Sequence, residues 1–377
     1  VRGKGIYVYD EFDRKYIDCI AGYSALNQGH CHKSIIKVAT EQMNKLTLTS
    51  RAYHNDKMGD FCEKLSKTFD YQKVLLMNGG VESGEAAIKI ARKWGYEKKG
   101  VPENEAQSVF FNNNFWGRSL AACSSSNDPH CYHNFGPFIP NFHLLEYNNI
   151  QQLHNFLEKN PHTVSVMLEP IQGEGGIIIP SNDYLRDVRE LCNEYNVLMI
   201  ADEVQTGLGR TGKMLACDHF NVRPDILCLG KALSGGFYPI SAILSNEEIM
   251  SVLTPGTHGS TFGGNPLACA IGIEAINVIQ REKLAENAER LGLFFRQKLL
   301  LHNKCTNVKS IHGIGLLNAI DFYTRKKADY FVEMLIDNRI FTKTTRDTTV
   351  RITPPLVISF EEMDELTDKI IKVLNDL

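Results

Sequence analysis

Val197-Leu198-Met199-Ile200-Ala201-Asp202-Glu203-Val204-Gln205 and, further on, Ile226-Leu227-Cys228-Leu229-Gly230-Lys231-Ala232 share one pattern, a short apolar run that leads into an ionisable side chain. Apolar runs without polar alternation read as strands buried on both faces, as in a parallel sheet covered by helices. In such a sheet the residues that follow successive strands emerge at one carboxyl edge, so Asp202 and Lys231 are expected to face one pocket. A lysine there can form a Schiff base with an aldehyde cofactor, and an acid at a nearby strand end can keep a pyridine nitrogen protonated. The pair is the minimum kit for pyridoxal phosphate chemistry.

Outward from these strands the alternation continues. Val74-Leu75-Leu76-Met77, Val109-Phe110-Phe111 and Val164-Ser165-Val166-Met167-Leu168 read as strands, with helices from Glu82 to about Trp94 and near Tyr184 to Tyr195. Strands alternating with helices predict an α/β protein with a mostly parallel, doubly wound sheet. Gly5 to Asp10 and Arg14 to Asp18 read as a hairpin. Near Pro266 the pattern changes to a long helical stretch through Leu301, then short strands (Ile314 to Phe322, Val350 to Thr353) and a helix from Glu361. The division expected is an N-terminal hairpin segment over 1–23 packing with the small domain, a large cofactor-binding domain over 24–265, and a smaller α+β domain over 266–377.

Composition narrows the function classes. A chain of 377 residues with 43% hydrophobic and 23% charged residues has the makeup of a soluble globular enzyme. A net charge of -3 gives no field that would gather nucleic acid, and the apolar runs are strand-sized, too short for a bilayer. The ten cysteines are scattered without a Cys-x-x-Cys pair, which predicts a reducing, intracellular setting. His30-Cys31-His32 lacks a second ligand cluster, so no metal is assigned. The chain opens at Val1 without Met, directly into the hairpin pattern, and a further N-terminal piece is expected before it.

Several motifs carry chemistry, each beside a plainer reading. Asn78-Gly79-Gly80-Val81-Glu82 lies between a strand and a helix, where free N–H groups and the helix dipole cradle an anion. The alternative is a tight turn that uses glycine for its backbone freedom, and Lys231 on the same edge favours the phosphate. Asn114-Phe115-Trp116-Gly117-Arg118 offers a stacking face and a planar donor fork, or only core aromatics beside a surface arginine. Glu169 closes a strand and Glu174 follows in Gln172-Gly173-Glu174-Gly175-Gly176; either acid could be simply solvated. His258-Gly259-Ser260-Thr261-Phe262-Gly263-Gly264-Asn265-Pro266 suits a loop that approaches an oxyanion, or an ordinary link between lobes.

Gly207-Leu208-Gly209-Arg210-Thr211-Gly212 matches G-x-G-x-x-G, but Asp202 to Thr206 separate it from its strand and no long helix clearly opens at its third glycine. Gly230-Lys231 fails as a P-loop because Asp225 stands at the first glycine and Ala232 at the Ser/Thr position.

Taken in order, these segments resemble the class III aminotransferases of pyridoxal phosphate fold type I over nearly the whole chain. Asp202-Glu203-Val204-Gln205-Thr206-Gly207 with Gly230-Lys231-Ala232 marks the class. Trp116 before Gly117-Arg118, with Tyr23-Ser24-Ala25-Leu26-Asn27-Gln28-Gly29-His30 and His258-Gly259-Ser260-Thr261, is similar to the members that act on ornithine. The resemblance implies pyridoxal 5'-phosphate as cofactor, with Lys231 as its covalent anchor and proton shuttle. It puts Asp202 at the pyridinium nitrogen, Gln205 at the phenolic oxygen and Phe115 on the ring. The Gly80 and Val81 amides would hold the phosphate, joined by Ser260 or Thr261 from the other subunit of a homodimer with shared active sites.

For substrates the resemblance implies Tyr23 and Arg118 at a carboxylate end, with Trp116 and Glu169 counted in the same site. Arg351, in Val350-Arg351-Ile352-Thr353-Pro354-Pro355, would receive the α-carboxylate of 2-oxoglutarate or glutamate, and Glu174 would mask it when ornithine binds. The implied activity is transfer of the δ-amino group of L-ornithine to a 2-oxo acid by a ping-pong route, in the cytoplasm or mitochondrial matrix. Members using acetylornithine or 4-aminobutyrate are the neighbouring alternative, against which Trp116 and Tyr23 argue; a nicotinamide-binding oxidoreductase would rest on Gly207 to Gly212 alone. Gly79 stands where the class usually has Thr or Ser, and Gly175 where it has Ala.

Overall fold

The computed structural model describes residues 1–50 and 52–377. The N-terminal segment forms β1 (Arg2–Lys4), β2 (Tyr7–Tyr9) and β3 (Lys15–Asp18). The central sheet is built from β4 (Lys73–Met77), β5 (Gln107–Phe111), β6 (Phe142–Leu145), β7 (Thr163–Leu168), β8 (Leu198–Asp202), β9 (Ile226–Leu229) and β10 (Ser241–Ser245). The C-terminal lobe adds β11 (Val308–Ile314), β12 (Leu317–Phe322), β13 (Ile340–Phe341), β14 (Thr344–Thr345) and β15 (Thr349–Ile352).

The central strands lie in the order β4-β10-β9-β8-β7-β5-β6. The β5/β6, β5/β7, β7/β8 and β8/β9 pairs are parallel, and β10 is antiparallel to both neighbours, so β4 runs with the rest and β10 alone is reversed. Strands β7 to β10 are buried along their whole length, which is why their sequences show no polar alternation. Their side chains still alternate between faces. Ile200, Ile226, Cys228 and Ile243 pack with Ile90 and Ala91 of the helix Gly80–Trp94, whereas Met199, Ala201, Leu227 and Leu229 join a second apolar core on the other face. Asp202 follows Leu198 and Ile200 onto the face covered by the helix Gly80–Trp94. This register brings the acid toward that helix's N-terminus.

Three local expectations change. The stretch from Ile314 to Phe322 is the β11/β12 hairpin turning at Gly315, φ +54, a left-handed position suited to glycine. The stretch from Pro266 to Leu301 is two helices, Pro266–Arg281 and Leu284–His302, parted at Lys283 with φ +52. The first packs on the helices Lys33–Met43 and Met58–Phe69 and on the turn that carries Lys231; the second packs on Phe360–Asn375 and β11. Strands β1, β6, β10, β13 and β14 had not been anticipated.

The hairpin reaches the C-terminal lobe through parallel pairing of β3 with β13, Ile17 opposite Ile340. The Thr353 N–H donates to Cys19 O at 2.9 Å beside it. Cys19, Cys123, Cys131, Cys192, Cys217 and Cys228 are buried thiols. His30 and His32 turn to different acids, Asp18 at 2.7 Å and Glu282 at 3.1 Å, and among the described residues no cluster could hold a metal ion. Among the described residues no helix is long and apolar enough to cross a membrane.

Candidate active site

The carboxyl edge of the central sheet opens into a cavity of about 240 Å³ lined by Gly80, Val81, Phe115, Trp116, Gly117, Glu169, Asp202, Val204, Gln205 and Lys231. Lys231 leaves β9 in a left-handed backbone conformation, φ +46, which non-glycine residues adopt rarely and mostly where a site demands it. Burial lowers its amine to about 8, against the pull of Glu174, Asp202 and Glu169, with Arg351 adding to the depression. Asp202 is 6% exposed, and its hydrogen bond among the described residues is from the Val204 N–H at 3.0 Å. Burial raises this carboxyl to about 6 although the Val204 N–H and Lys231 hold it back. Without a close cation such an acid is costly to ionise, and a protonated ring nitrogen would supply one.

At the N-terminus of the helix Gly80–Trp94 the anion cradle is narrower than its sequence suggested. Glu82 reaches back so that one carboxylate oxygen accepts from Asn78 N–H at 2.7 Å and Gly79 N–H at 2.8 Å. The first N–H groups inside the helix, on Gly80 and Val81, have no intrahelical acceptor and remain for a ligand. Gly80 is needed there, since a β-carbon would lie 2.9 Å from Val204 Cγ1. At Gly117, φ +151, a β-carbon would lie 2.4 Å from Val81 Cγ2.

The other wall is polar. Glu169 accepts from the Phe115 N–H at 2.8 Å and the Gly173 N–H at 3.0 Å, and burial next to Asp202 raises its carboxyl to about 8. Arg351, 2% exposed on β15, donates through Nη1 to Glu174 Oε1, and that oxygen also accepts from Gln205 Nε2 at 3.2 Å. Burial alone would raise the Glu174 carboxyl, but Arg351, with Lys231 and the Gln205 hydrogen bond, turns the net shift downward, which favours the ionised acid. Among the described residues Gln205 Oε1 and Arg351 Nη2 are buried without a hydrogen-bond partner.

Among the expected substrate residues, Tyr23 stands near Arg351, whose guanidinium carbon is 5.8 Å from the phenol ring, and Lys343 donates to Tyr23 Oη at 3.3 Å. Arg118 lies 5.7 Å from the Phe115 ring centroid. A second cavity, of about 590 Å³, contains Arg118, Phe115, Glu174 and Lys343 in its lining. Trp116 lies parallel to Phe110 at 5.9 Å, and its indole N–H is spent on Ser125 Oγ at 2.8 Å. It therefore shapes the cavity wall and has no donor left for a substrate. Ser260 Oγ accepts from Asn78 Nδ2 of its own chain at 3.0 Å, and Thr261 is exposed.

The segment Gly207 to Gly212 opens no helix. Arg210 is wholly buried and donates to Leu316 O, Pro354 O and Asn27 Oδ1 at 2.9, 2.7 and 2.7 Å. The glycines free the backbone around an arginine strap that ties the segments of Asn27 and Pro354 together, which leaves no room for a dinucleotide role. Sequence reasoning missed this strap, the Glu82 cap and Lys343. Only Glu82 carried a local signal, an acid three residues into a helix.

A buried amine, a buried acid, an unpartnered amide oxygen, two free N–H groups and an aromatic face fit a flat phosphorylated pyridine aldehyde. With the fold and this cavity in view, comparison settles the class. The chain belongs to the class-III aminotransferases: the family Aminotransferase class-III matches residues 1–374. It is 50% identical over 373 residues to the mitochondrial ornithine aminotransferase of Drosophila melanogaster, covering 99% of this chain and 86% of that one. The crystal structure of the ornithine aminotransferase from Toxoplasma gondii ME49 superposes with a TM-score of 0.98 at 49% identity, covering 100% of this chain and 90% of that one. A second structure of the Toxoplasma gondii enzyme, crystallised with oxidised glutathione, shows partial occupancy of pyridoxal phosphate at its active site, with a TM-score of 0.98 at 49% identity, covering 99% of this chain and 89% of that one.

Proposed function

We propose that this chain is an ornithine δ-aminotransferase, moving the δ-amino group of L-ornithine to 2-oxoglutarate to give L-glutamate 5-semialdehyde and L-glutamate. The observation that carries this reading is the closed Arg351–Glu174 pair, both members of which act electrostatically on Lys231, and which withdraws the buried guanidinium from carboxylate binding. Pyridoxal phosphate, when bound, supplies an aldehyde that accepts the amine and a ring that stores the electron pair left behind when the proton departs.

The chain's own groups do the rest. Lys231 would anchor the cofactor and then, as a free amine with a lowered pKa, take the proton from the carbon that bears the nitrogen and return it to the carbon on the other side of that nitrogen. Asp202 would hold the ring nitrogen in its protonated state, and Gln205 would face the phenolic oxygen. The Gly80 and Val81 amides would take the phosphate, with Phe115 against the ring. With Arg351 neutralised, ornithine's α-carboxylate is directed to Tyr23 and Arg118, so its far amine reaches Lys231. With Arg351 released, an α-carboxylate pairs with its fork and glutamate presents its α-amine.

The likeness to the Toxoplasma gondii and Drosophila melanogaster enzymes supports this substrate, and the latter's mitochondrial site supports the intracellular setting read from the cysteines. A homodimer in which Ser260 or Thr261 of a second copy completes the phosphate site belongs to the same proposal. Turnover measured side by side on ornithine, acetylornithine and 4-aminobutyrate tests it. Ornithine should have by far the highest kcat/KM; a preference for either other donor would reassign the enzyme within its class.

A further inference from the structure

Lys343 lies between β13 and β14, with its carbonyl accepting from the Arg351 N–H at 3.4 Å. Its ammonium is 3.3 Å from Tyr23 Oη and 5.2 Å from the Tyr23 ring centroid, so Lys343 and Arg351 bracket one phenol. Tyr23 needs such support. It is 40% exposed and in a left-handed backbone conformation, φ +58, directly after Gly22 at φ +56.

The charges around the second cavity are unevenly satisfied. Arg351 is paired with Glu174, Arg346 faces Asp128 at 3.8 Å, and Arg325 faces Asp347 at 3.4 Å. Lys343 and Arg118 line the same cavity, and among the described residues neither has a carboxylate partner. An anionic group entering there would complete both cations. The phenol adds direction. Because Tyr23 Oη accepts from Lys343, its own O–H is left to donate, and a carboxylate oxygen is the acceptor that fits beside two cations.

We propose that Lys343 is a specificity-determining residue for the carboxylate at the far end of the amino donor, acting through Tyr23 and by its own charge. This deepens the ornithine reading and rests on it. Lys343 would thereby set how strongly the enzyme distinguishes an ω-amine that carries a carboxylate from one that does not.

The test compares L-ornithine with 1,4-diaminobutane, which has the same amine and chain without the carboxylate, in the holoenzyme and in Lys343→Met and Lys343→Arg. Losing one charge-assisted hydrogen bond predicts a rise of about tenfold in KM for ornithine in Lys343→Met, with kcat moved less than KM. The kcat/KM for 1,4-diaminobutane should change by less than about twofold, and Lys343→Arg should recover most of the lost discrimination. Equal losses on both donors, as from a merely structural role, would overturn the inference, as would an unchanged ornithine KM. Wild-type enzyme that prefers another donor to ornithine would instead fail the underlying reading, and that result is visible before any variant is made.

Discussion

Arg351 Nη1 donates to Glu174 Oε1, and the same oxygen accepts from Gln205 Nε2 at 3.2 Å. A cation almost wholly removed from water is therefore neutralised by an acid that also touches the glutamine expected at the cofactor. Breaking one partner from a buried ion pair typically costs roughly 3–5 kcal/mol, because the other charge is left without compensation. A substrate carboxylate can recover that cost. In the proposed mechanism the pair would act as a switch whose position depends on which substrate is present.

Removing the acid should bias the switch. Glu174→Ala leaves Arg351 exposed to any α-carboxylate, so the glutamate half-reaction should accelerate and the preference for ornithine's δ-amine should fall by about tenfold or more. Arg351→Lys should chiefly impair 2-oxoglutarate, since a point charge does not reproduce a bidentate fork. Single-turnover spectra with each donor measure both. An unchanged ornithine-to-glutamate rate ratio in Glu174→Ala would remove the switch from the mechanism.

The depressed amine of Lys231 predicts a pH dependence for cofactor uptake. Only the neutral amine attacks an aldehyde, and burial brings its pKa down to about 8 from 10.5. Below that pH the lysine is protonated and loading is slow; above it the amine is free. The rate at which apoenzyme takes up pyridoxal phosphate should rise through about pH 8 and level off above it. A rate still climbing steeply beyond pH 10 would mean that Lys231 has the properties of an ordinary exposed lysine.

Asp202→Asn tests the opposite end of the ring. The amide keeps its shape and can still accept from the Val204 N–H, so cofactor binding should persist through the phosphate contacts. It no longer favours a protonated ring nitrogen, and the rate should fall by roughly two orders of magnitude or more, as when a single preorganised electrostatic contact is lost. Equilibrium dialysis and kcat, measured together, separate the two effects. Equal rates in both proteins would leave Asp202 as a structural cap on β8.

What the sequence made legible is the part of the site built by strands. Leu198 to Asp202 and Ile226 to Leu229 are apolar because both faces are buried, and the groups that follow them had to appear at one edge. Strand β10 escaped notice because direction is set by pairing with β4 and β9, which no local pattern encodes. The break at Lys283 escaped because a lysine in a left-handed conformation carries no glycine or proline signal. Trp116 lines the cavity with Lys231, and the engagement of its indole N–H by Ser125, nine residues on and across the short helix Leu120–Ser124, was not legible in the sequence. Lys343 meets Tyr23 from 320 positions away, through the pairing of β3 with β13, and no motif could have linked them.

The central claim is that nitrogen leaves ornithine from its δ-position. Ornithine labelled with nitrogen-15 at the δ-amine alone, incubated with the holoenzyme and 2-oxoglutarate, should yield labelled glutamate and an unlabelled semialdehyde, with Lys231→Ala yielding neither. Labelled glutamate obtained instead from ornithine carrying the isotope only at the α-amine would contradict the account.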